Sequence, residues 1–173
     1  GIYSAPGTAV KEAYDTSGIV TNDRGVTVWL KGNRVSRNQI MAIKEESVTE
    51  QKNSLAVCLD NILRHAGITR NTEYDLAQGK TATTILSENM TGVQVLDLSG
   101  CTLDAVLYYV NQDIPVLAIL EDGEAVLVTG FNEFNVVIME PSTGKLYKKG
   151  MNDATTWFAE NGNHFISYMK IEN

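Results

Sequence analysis

The chain has 173 residues, with 43% hydrophobic and 20% charged, which is ordinary for one globular domain with a sizeable core. Its formal net charge of −7 argues against a nucleic-acid-binding protein and against attraction to anionic membrane surfaces. No apolar run approaches the roughly 20 residues of a membrane-spanning helix, so we expect no membrane insertion by this segment.

The N-terminal part of the chain predicts little regular structure before its first strand. Glycines and polar residues predict irregular backbone over residues 1–25, and no signal peptide is visible. Residues 26–30 have the β-branched and aromatic composition of a strand, in which Trp29 is expected to anchor the core. Because the chain begins abruptly at Gly1, we expect it to be a segment of a longer protein.

A turn at residues 32–34 and a helix over residues 36–46 are predicted next, followed by a polar linker. We therefore expect two parts in the chain. Residues 1–47 form an N-terminal arm of a strand plus a helix, and residues 48–173 form the main domain.

The clearest helical pattern lies over residues 53–67. Asn53 or Ser54 can cap its N-terminus, apolar residues then recur at helical spacing, and Gly67 can end it in a left-handed turn. In some hydrolases the nucleophile is the first residue of such a helix, where the dipole and the free N–H groups favour an anion. Whether this helix carries one is the main functional question.

The remaining chain changes from helical patterns to strand patterns. Short helices are predicted with Thr72 as a cap, from Thr81 to Met90 and with Thr102 as a cap, with a strand at residues 93–96 between the last two. A helix containing Trp157 and Phe158, capped by Asn152 or Asp153, interrupts strands predicted at residues 114–120, 125–131, 135–139, 145–148 (an edge strand) and 164–171. Helices followed by an antiparallel sheet predict an α+β fold.

The cysteines and histidines are few. Cys58 and Cys101 could pair in a secreted protein, but we expect two separate buried thiols. Two cysteines and two histidines are too few for a Cys-rich metal site, and we predict no metal and no cofactor. His65 suits the end of its helix, where a cation is favoured, and His164 is expected to be structural on the last strand.

Three segments resemble the papain-like cysteine peptidases of the bacteriocin-processing (double-glycine leader peptidase) type. Residues 54–67 are similar to the family's Cys-Gly-Pro-Ala helix, and residues 102–116 look like its helix and Gly-x-Pro-Val strand. Residues 123–144 are similar to a Gly-His, apolar run, Thr-Gly-Tyr, strand and Asp-Pro pattern. The resemblance covers residues 48–171 and implies a papain-like fold with a helical layer packed on an antiparallel sheet.

Aligned position by position, this chain has a different residue wherever the family has a catalytic one. The family's nucleophilic cysteine falls on Ser54, its histidine on Glu124, and the aspartate that orients the histidine on Glu140. The oxyanion glutamine would fall near Val48, with Gln51 about one helical turn away. Residues 55 and 56 also replace the family's Gly-Pro.

These replacements remove the base that the reaction needs. A serine or cysteine nucleophile is activated by a group that takes its proton near pH 7 and returns it to the leaving group. A carboxylate at Glu124 is a weak base toward a hydroxyl, and a second one at Glu140 raises one of the two pKa values instead of polarising Ser54. The resemblance therefore implies a degenerate, catalytically inactive domain.

Such a domain would bind a peptide or protein in its vestigial cleft, or serve a structural role, in a larger bacterial surface or secreted protein. An extracellular or cell-surface location is preferred. Each position also has a plainer interpretation: Ser54 as a helix-cap or first-turn residue, Glu124 as a solvated hairpin residue and Glu140 as a turn carboxylate. The two glutamates could also bind a cation or a basic peptide side chain. The alternative function is an active cysteine peptidase that uses Cys58 with His164 or His65.

Overall fold

The computed structural model describes residues 1–31 and 53–171. The turn at residues 32–34, the helix over residues 36–46 and the linker that follows lie outside the described residues. So do Val48, Gln51 and the boundary between arm and main domain, which stays a prediction.

The described residues form a six-stranded sheet, a small two-stranded sheet and several helices, which precede, separate and follow the strands along the chain. The helices are α1 (Pro6–Thr16), α2 (Ser54–His65), α3 (Glu73–Ala77), α4 (Ala82–Asn89), α5 (Leu103–Asn111) and α6 (Met151–Glu160). The strands are β1 (Ile19–Thr21), β2 (Thr27–Leu30), β3 (Val93–Asp97), β4 (Val116–Ile119), β5 (Ala125–Phe131), β6 (Asn135–Glu140), β7 (Lys145–Gly150) and β8 (His164–Lys170).

The main sheet is antiparallel throughout, with strand order β3-β8-β4-β5-β6-β7. Strand β5 is buried along its whole length, because α2 and α5 pack against it and β4 and β6 flank it. The predicted edge strand is confirmed, since β7 pairs only with β6 at one end of the order. A helical layer on an antiparallel sheet confirms the predicted α+β class.

The prediction of irregular structure over residues 1–25 is wrong. Pro6 opens α1, where its missing N–H costs nothing, and Ser17 ends the helix with a left-handed φ of 58°. Gly7 lies inside the helix because α1 passes close to another segment: a Cβ there would lie 2.8 Å from the Ser99 carbonyl oxygen. Gly7, which contributed to the prediction of irregular backbone, is therefore needed because it lets two backbone segments approach closely.

The small sheet docks this N-terminal part onto α5. Trp29 is 2% exposed, and its Nε1 donates to the Ala105 carbonyl at 3.0 Å. The Tyr109 hydroxyl donates to the Val28 carbonyl at 2.8 Å. The prediction of Trp29 as a core anchor is confirmed.

Two predicted helix caps are wrong. Helix α6 begins at Met151 directly after β7, so Asn152 and Asp153 lie inside its first turn. Thr72 precedes α3, but its hydroxyl donates to the Ala56 carbonyl at 3.2 Å and caps nothing. In the first case α6 follows β7 without a loop, and in the second the threonine hydroxyl is bonded to α2. Local composition reveals neither arrangement.

Candidate functional site

The N-terminus of α2 is capped as predicted. Asn53 Oδ1 accepts from the backbone N–H groups of Leu55 and Ala56, at 2.9 and 3.3 Å. Ser54 is the first residue of the helix, and its Oγ accepts from the Ala125 N–H at 2.9 Å. This hydrogen bond ties the start of α2 to the start of β5. At the other end Gly67 takes the left-handed conformation, with φ 85°.

A cavity of about 250 Å³ opens beside Ser54. Its walls combine apolar, aromatic and acidic side chains. They come from Ser54, Leu120, Glu124, Ala125, Val126, Glu140, Pro141, Ser142, Tyr147 and Trp157. The structure thus brings all three aligned positions, Ser54, Glu124 and Glu140, to one concave site, although 86 residues separate the first from the last in sequence.

The two carboxylates are held differently. Glu124 lies in the β4–β5 hairpin, where its backbone N–H donates to Asp122 Oδ1 at 2.9 Å and its side chain is exposed. Glu140 ends β6 and accepts from the Ser142 hydroxyl and from the Thr143 N–H, the latter at 3.1 Å. Both therefore also fit their plainer interpretations, as a hairpin residue and a turn carboxylate.

Hydrogen bonding sets the ionisation of Glu140. Partial burial by itself raises the pKa of this carboxyl. The hydrogen bonds from Ser142 and Thr143 act in the opposite direction and together outweigh burial, so the pKa lies below its usual value of 4.5. Glu140 is consequently a carboxylate near neutral pH and a poor proton acceptor.

The sequence did not predict the aromatic wall of the cavity, which consists of Tyr147 and Trp157. Tyr147 lies on the edge strand β7, and Trp157 lies on α6 and packs against the core. Trp157 also lines the cavity, and the Lys149 ammonium lies 4.7 Å from the centre of its ring. No sequence pattern relates an edge strand to the following helix across a cavity, so only the packing identifies these residues.

Cys58 lies one helical turn after Ser54, on the buried face of α2. It is 0% exposed. Burial raises the pKa of its thiol well above the usual value, and the negative charges of Glu140 and Glu124 raise it further. The thiol therefore stays protonated, and the two glutamates act on it electrostatically from the cavity.

The other chemically reactive side chains lie elsewhere. His65 Nε2 lies 3.0 Å from the Asp113 carbonyl oxygen, and His164 pairs with Ile119 across the sheet. Neither histidine is among the residues that line the cavity. Cys101 is buried, with its Sγ 3.4 Å from the Gly7 carbonyl, and burial raises its pKa to about 11. Both cysteines are free, as expected.

Within residues 1–31 and 53–171, no group of three or more His, Cys, Asp or Glu residues is arranged to hold a metal ion. In the same part of the chain, every helix is too short or too polar to cross a bilayer.

Comparison with solved structures gives a match over most of the chain. A crystal structure from Bacillus anthracis, of a protein described as a C39-like peptidase, superposes with a TM-score of 0.63 and 13% sequence identity. The match covers 79% of this chain and 100% of the other. The chain has a C39-like peptidase fold. No family model matches the sequence, and no curated protein does.

This match confirms the predicted papain-like architecture of a helical layer on an antiparallel sheet. At 13% identity it extends to the fold alone. A fold hosts many functions, so the role of this chain has to be argued from the chemistry of its own cavity.

Proposed function

We propose that this chain is a catalytically inactive peptidase-like domain that binds a peptide or protein segment in the cavity beside α2. One observation carries the proposal: Ser54, Glu124 and Glu140 line one cavity at the N-terminus of α2. The resemblance assigns these same positions to a nucleophile, its base and the residue that orients the base.

The chemistry of the cavity supports inactivity. Acyl transfer by a serine needs a base that accepts the hydroxyl proton in the transition state. Glu140 has a lowered pKa and is hydrogen-bonded within its own turn. Ser54 Oγ already accepts a hydrogen bond from Ala125 N–H, which withdraws electron density from the atom that would attack. These features support the absence of catalysis.

The rival function, a cysteine peptidase that uses Cys58 with His164 or His65, has less support. The reactive form of cysteine is the thiolate, and a catalytic thiol needs contact with substrate. Cys58 is buried and its pKa is raised. A purely structural module is the other alternative, and peptide binding separates it from the proposal. A setting in a larger bacterial surface or secreted protein stays a prediction.

Thiol labelling and peptide cleavage test inactivity together. We expect iodoacetamide at neutral pH to leave Cys58 unmodified in the native protein and to label it after denaturation in urea, as followed by mass spectrometry. Ser54→Cys is the matched control, because its new thiol lies on the cavity wall one turn away and is expected to react under native conditions. No peptide-library substrate should be cleaved, either by the native protein or by Cys58→Ala.

Rapid native labelling of Cys58, together with cleavage that disappears in Cys58→Ala, would establish the peptidase and refute inactivity. The binding half of the proposal is tested separately by NMR titration with peptides. Signals of Ala125 and Trp157 should shift if the cavity is the site. A peptide library that moves neither signal would leave only the structural role.

A further inference from the structure

Two acidic side chains line the cavity. Glu124 and Glu140 both line it, and neither forms an ion pair with a described lysine, arginine or histidine. Glu124 is exposed and Glu140 is half-buried, so a cation that enters the cavity can reach both side chains. Both carboxylates would attract such a cation.

The positive end of α2 is the obvious opposing charge, and it is too small to reverse the sign. A helix N-terminus is equivalent to roughly half of one elementary charge. Part of that charge is already satisfied, because Asn53 accepts from the N–H groups of Leu55 and Ala56. The helix N-terminus therefore offsets only part of the two carboxylate charges, and the Lys149 ammonium beside Trp157 is a further positive charge near the cavity.

The aromatic wall adds a second, independent attraction for cations. Lys149 places its ammonium group 4.7 Å from the centre of the Trp157 ring, within the range of a cation–π interaction. A basic side chain therefore fits against this ring, and the cationic head of a ligand would share the ring with Lys149 or displace it. Tyr147 lies two residues before Lys149 on β7, hence on the same face of that strand, and also lines the cavity.

Size and apolar lining limit what can enter. The volume of about 250 Å³ lies below the range of roughly 300–1,000 Å³ typical of pockets for drug-sized ligands. Such a space suits one long side chain of an extended peptide. Leu120, Val126 and Pro141 offer apolar contacts to a methylene stem, while the carboxylates lie where a charged head can reach them.

We propose that the cavity binds the lysine or arginine side chain of a peptide ligand, with the charged head between the Glu124 and Glu140 carboxylates and the Trp157 ring. This inference rests on the proposed function, because it names the class of peptide that the same site takes. Recognition is by charge and by the aromatic face, with no covalent step.

The test uses the whole chain and four end-blocked pentapeptides of sequence Ala-Ala-Xaa-Ala-Ala, in which Xaa is lysine, arginine, acetyl-lysine or norleucine. Blocked termini remove the peptide's other charges. We expect the lysine and arginine peptides to bind about tenfold more tightly than the two neutral ones in calorimetry, a difference that should shrink as salt screens the carboxylates.

Glu124→Gln keeps the shape of the side chain and removes its charge, and we expect it to weaken the lysine peptide about fivefold. Glu121→Gln is the matched control: Glu121 is an exposed carboxylate of the same hairpin that does not line the cavity. Its affinity for the lysine peptide should equal that of the native protein.

Equal binding of the lysine and norleucine peptides, or equal losses in the two glutamine variants, would overturn this inference and leave peptide binding intact. Failure of all four peptides to bind would overturn this inference, and the library titration monitored at Ala125 and Trp157 decides separately whether the binding half of the proposed function fails with it.

Discussion

Ser54 has a structural task that its position in the cavity does not reveal. Its Oγ accepts the Ala125 N–H, and Ala125 is 0% exposed, so water cannot replace this partner. The hydroxyl thus fastens the first residue of the central helix to the most buried strand of the sheet. Ser54, which the resemblance aligns with a nucleophile, therefore stabilises the contact between the helical layer and the sheet.

Replacing this hydroxyl should therefore lower stability. We expect Ser54→Ala to reduce the free energy of unfolding by about 1–3 kcal/mol, because a buried N–H loses its partner. Urea denaturation measures the change. Ser87→Ala, on the exposed face of α4, is the control and should change stability by no more than about 0.5 kcal/mol. Equal effects of the two substitutions would contradict this role of Ser54.

At the scale of elements, the N-terminal segment contributes side chains to the hydrophobic core. Helix α1 contacts β3 and α5, and the β1–β2 sheet supplies Trp29 to the interior. Four aromatic rings each contact the next, with neighbouring ring centres 5.2–6.4 Å apart. In order of contact they belong to Tyr14, Trp29, Tyr108 and Tyr109. Through these contacts α1 and the β1–β2 sheet pack against β3 and α5.

Removing the Tyr109 hydroxyl tests the contact between α5 and strand β2. We expect Tyr109→Phe to destabilise the protein by about 1–2 kcal/mol, since the buried Val28 carbonyl loses its donor. Native-state hydrogen exchange should accelerate in β2 more than in β5. Tyr74→Phe, at a side chain that is 70% exposed, should alter neither quantity. Uniform acceleration across both strands would mean that the segment does not open separately.

The same elements explain which parts of the fold the sequence could predict. Helix α2 was predictable because Asn53, the apolar stripe and Gly67 are all local signals. Strand β5 matched its predicted bounds for the same reason, with the Asp122–Gly123 turn before it. Helix α1 was missed because Gly7 is selected by the distant Ser99 carbonyl, a contact that exists only after folding.

At the scale of the whole molecule, several acidic groups are buried in their protonated form. Burial raises the pKa of Cys101 from 9.0 to about 11 and raises those of Cys58 and Tyr109 well above their usual values. In the unfolded chain these groups lose their protons at lower pH. From about pH 9 upward the unfolded state therefore binds fewer protons, and stability falls as pH rises.

We expect the urea midpoint to fall between pH 9 and 11, with each such group contributing up to about 1.4 kcal/mol per pH unit over the range where only the unfolded form is ionised. Cys101→Ala should give a shallower slope over this interval, whatever its effect on stability at pH 7. A slope identical to that of the native protein would mean that Cys101 ionises alike in both states.

The sequence by itself determined the local structure of the central helix and of most strands, the overall acidic charge and a resemblance to papain-like peptidases. These follow from short-range periodicity, turn chemistry and composition, which need no knowledge of distant partners. The tertiary structure alone decided that Ser54 accepts from Ala125, that Trp157 and Tyr147 wall the cavity and that Lys149 lies on the Trp157 ring. Each of these contacts joins two different elements, α2 with β5 or β7 with α6, so only the packing of those elements brings the residues together.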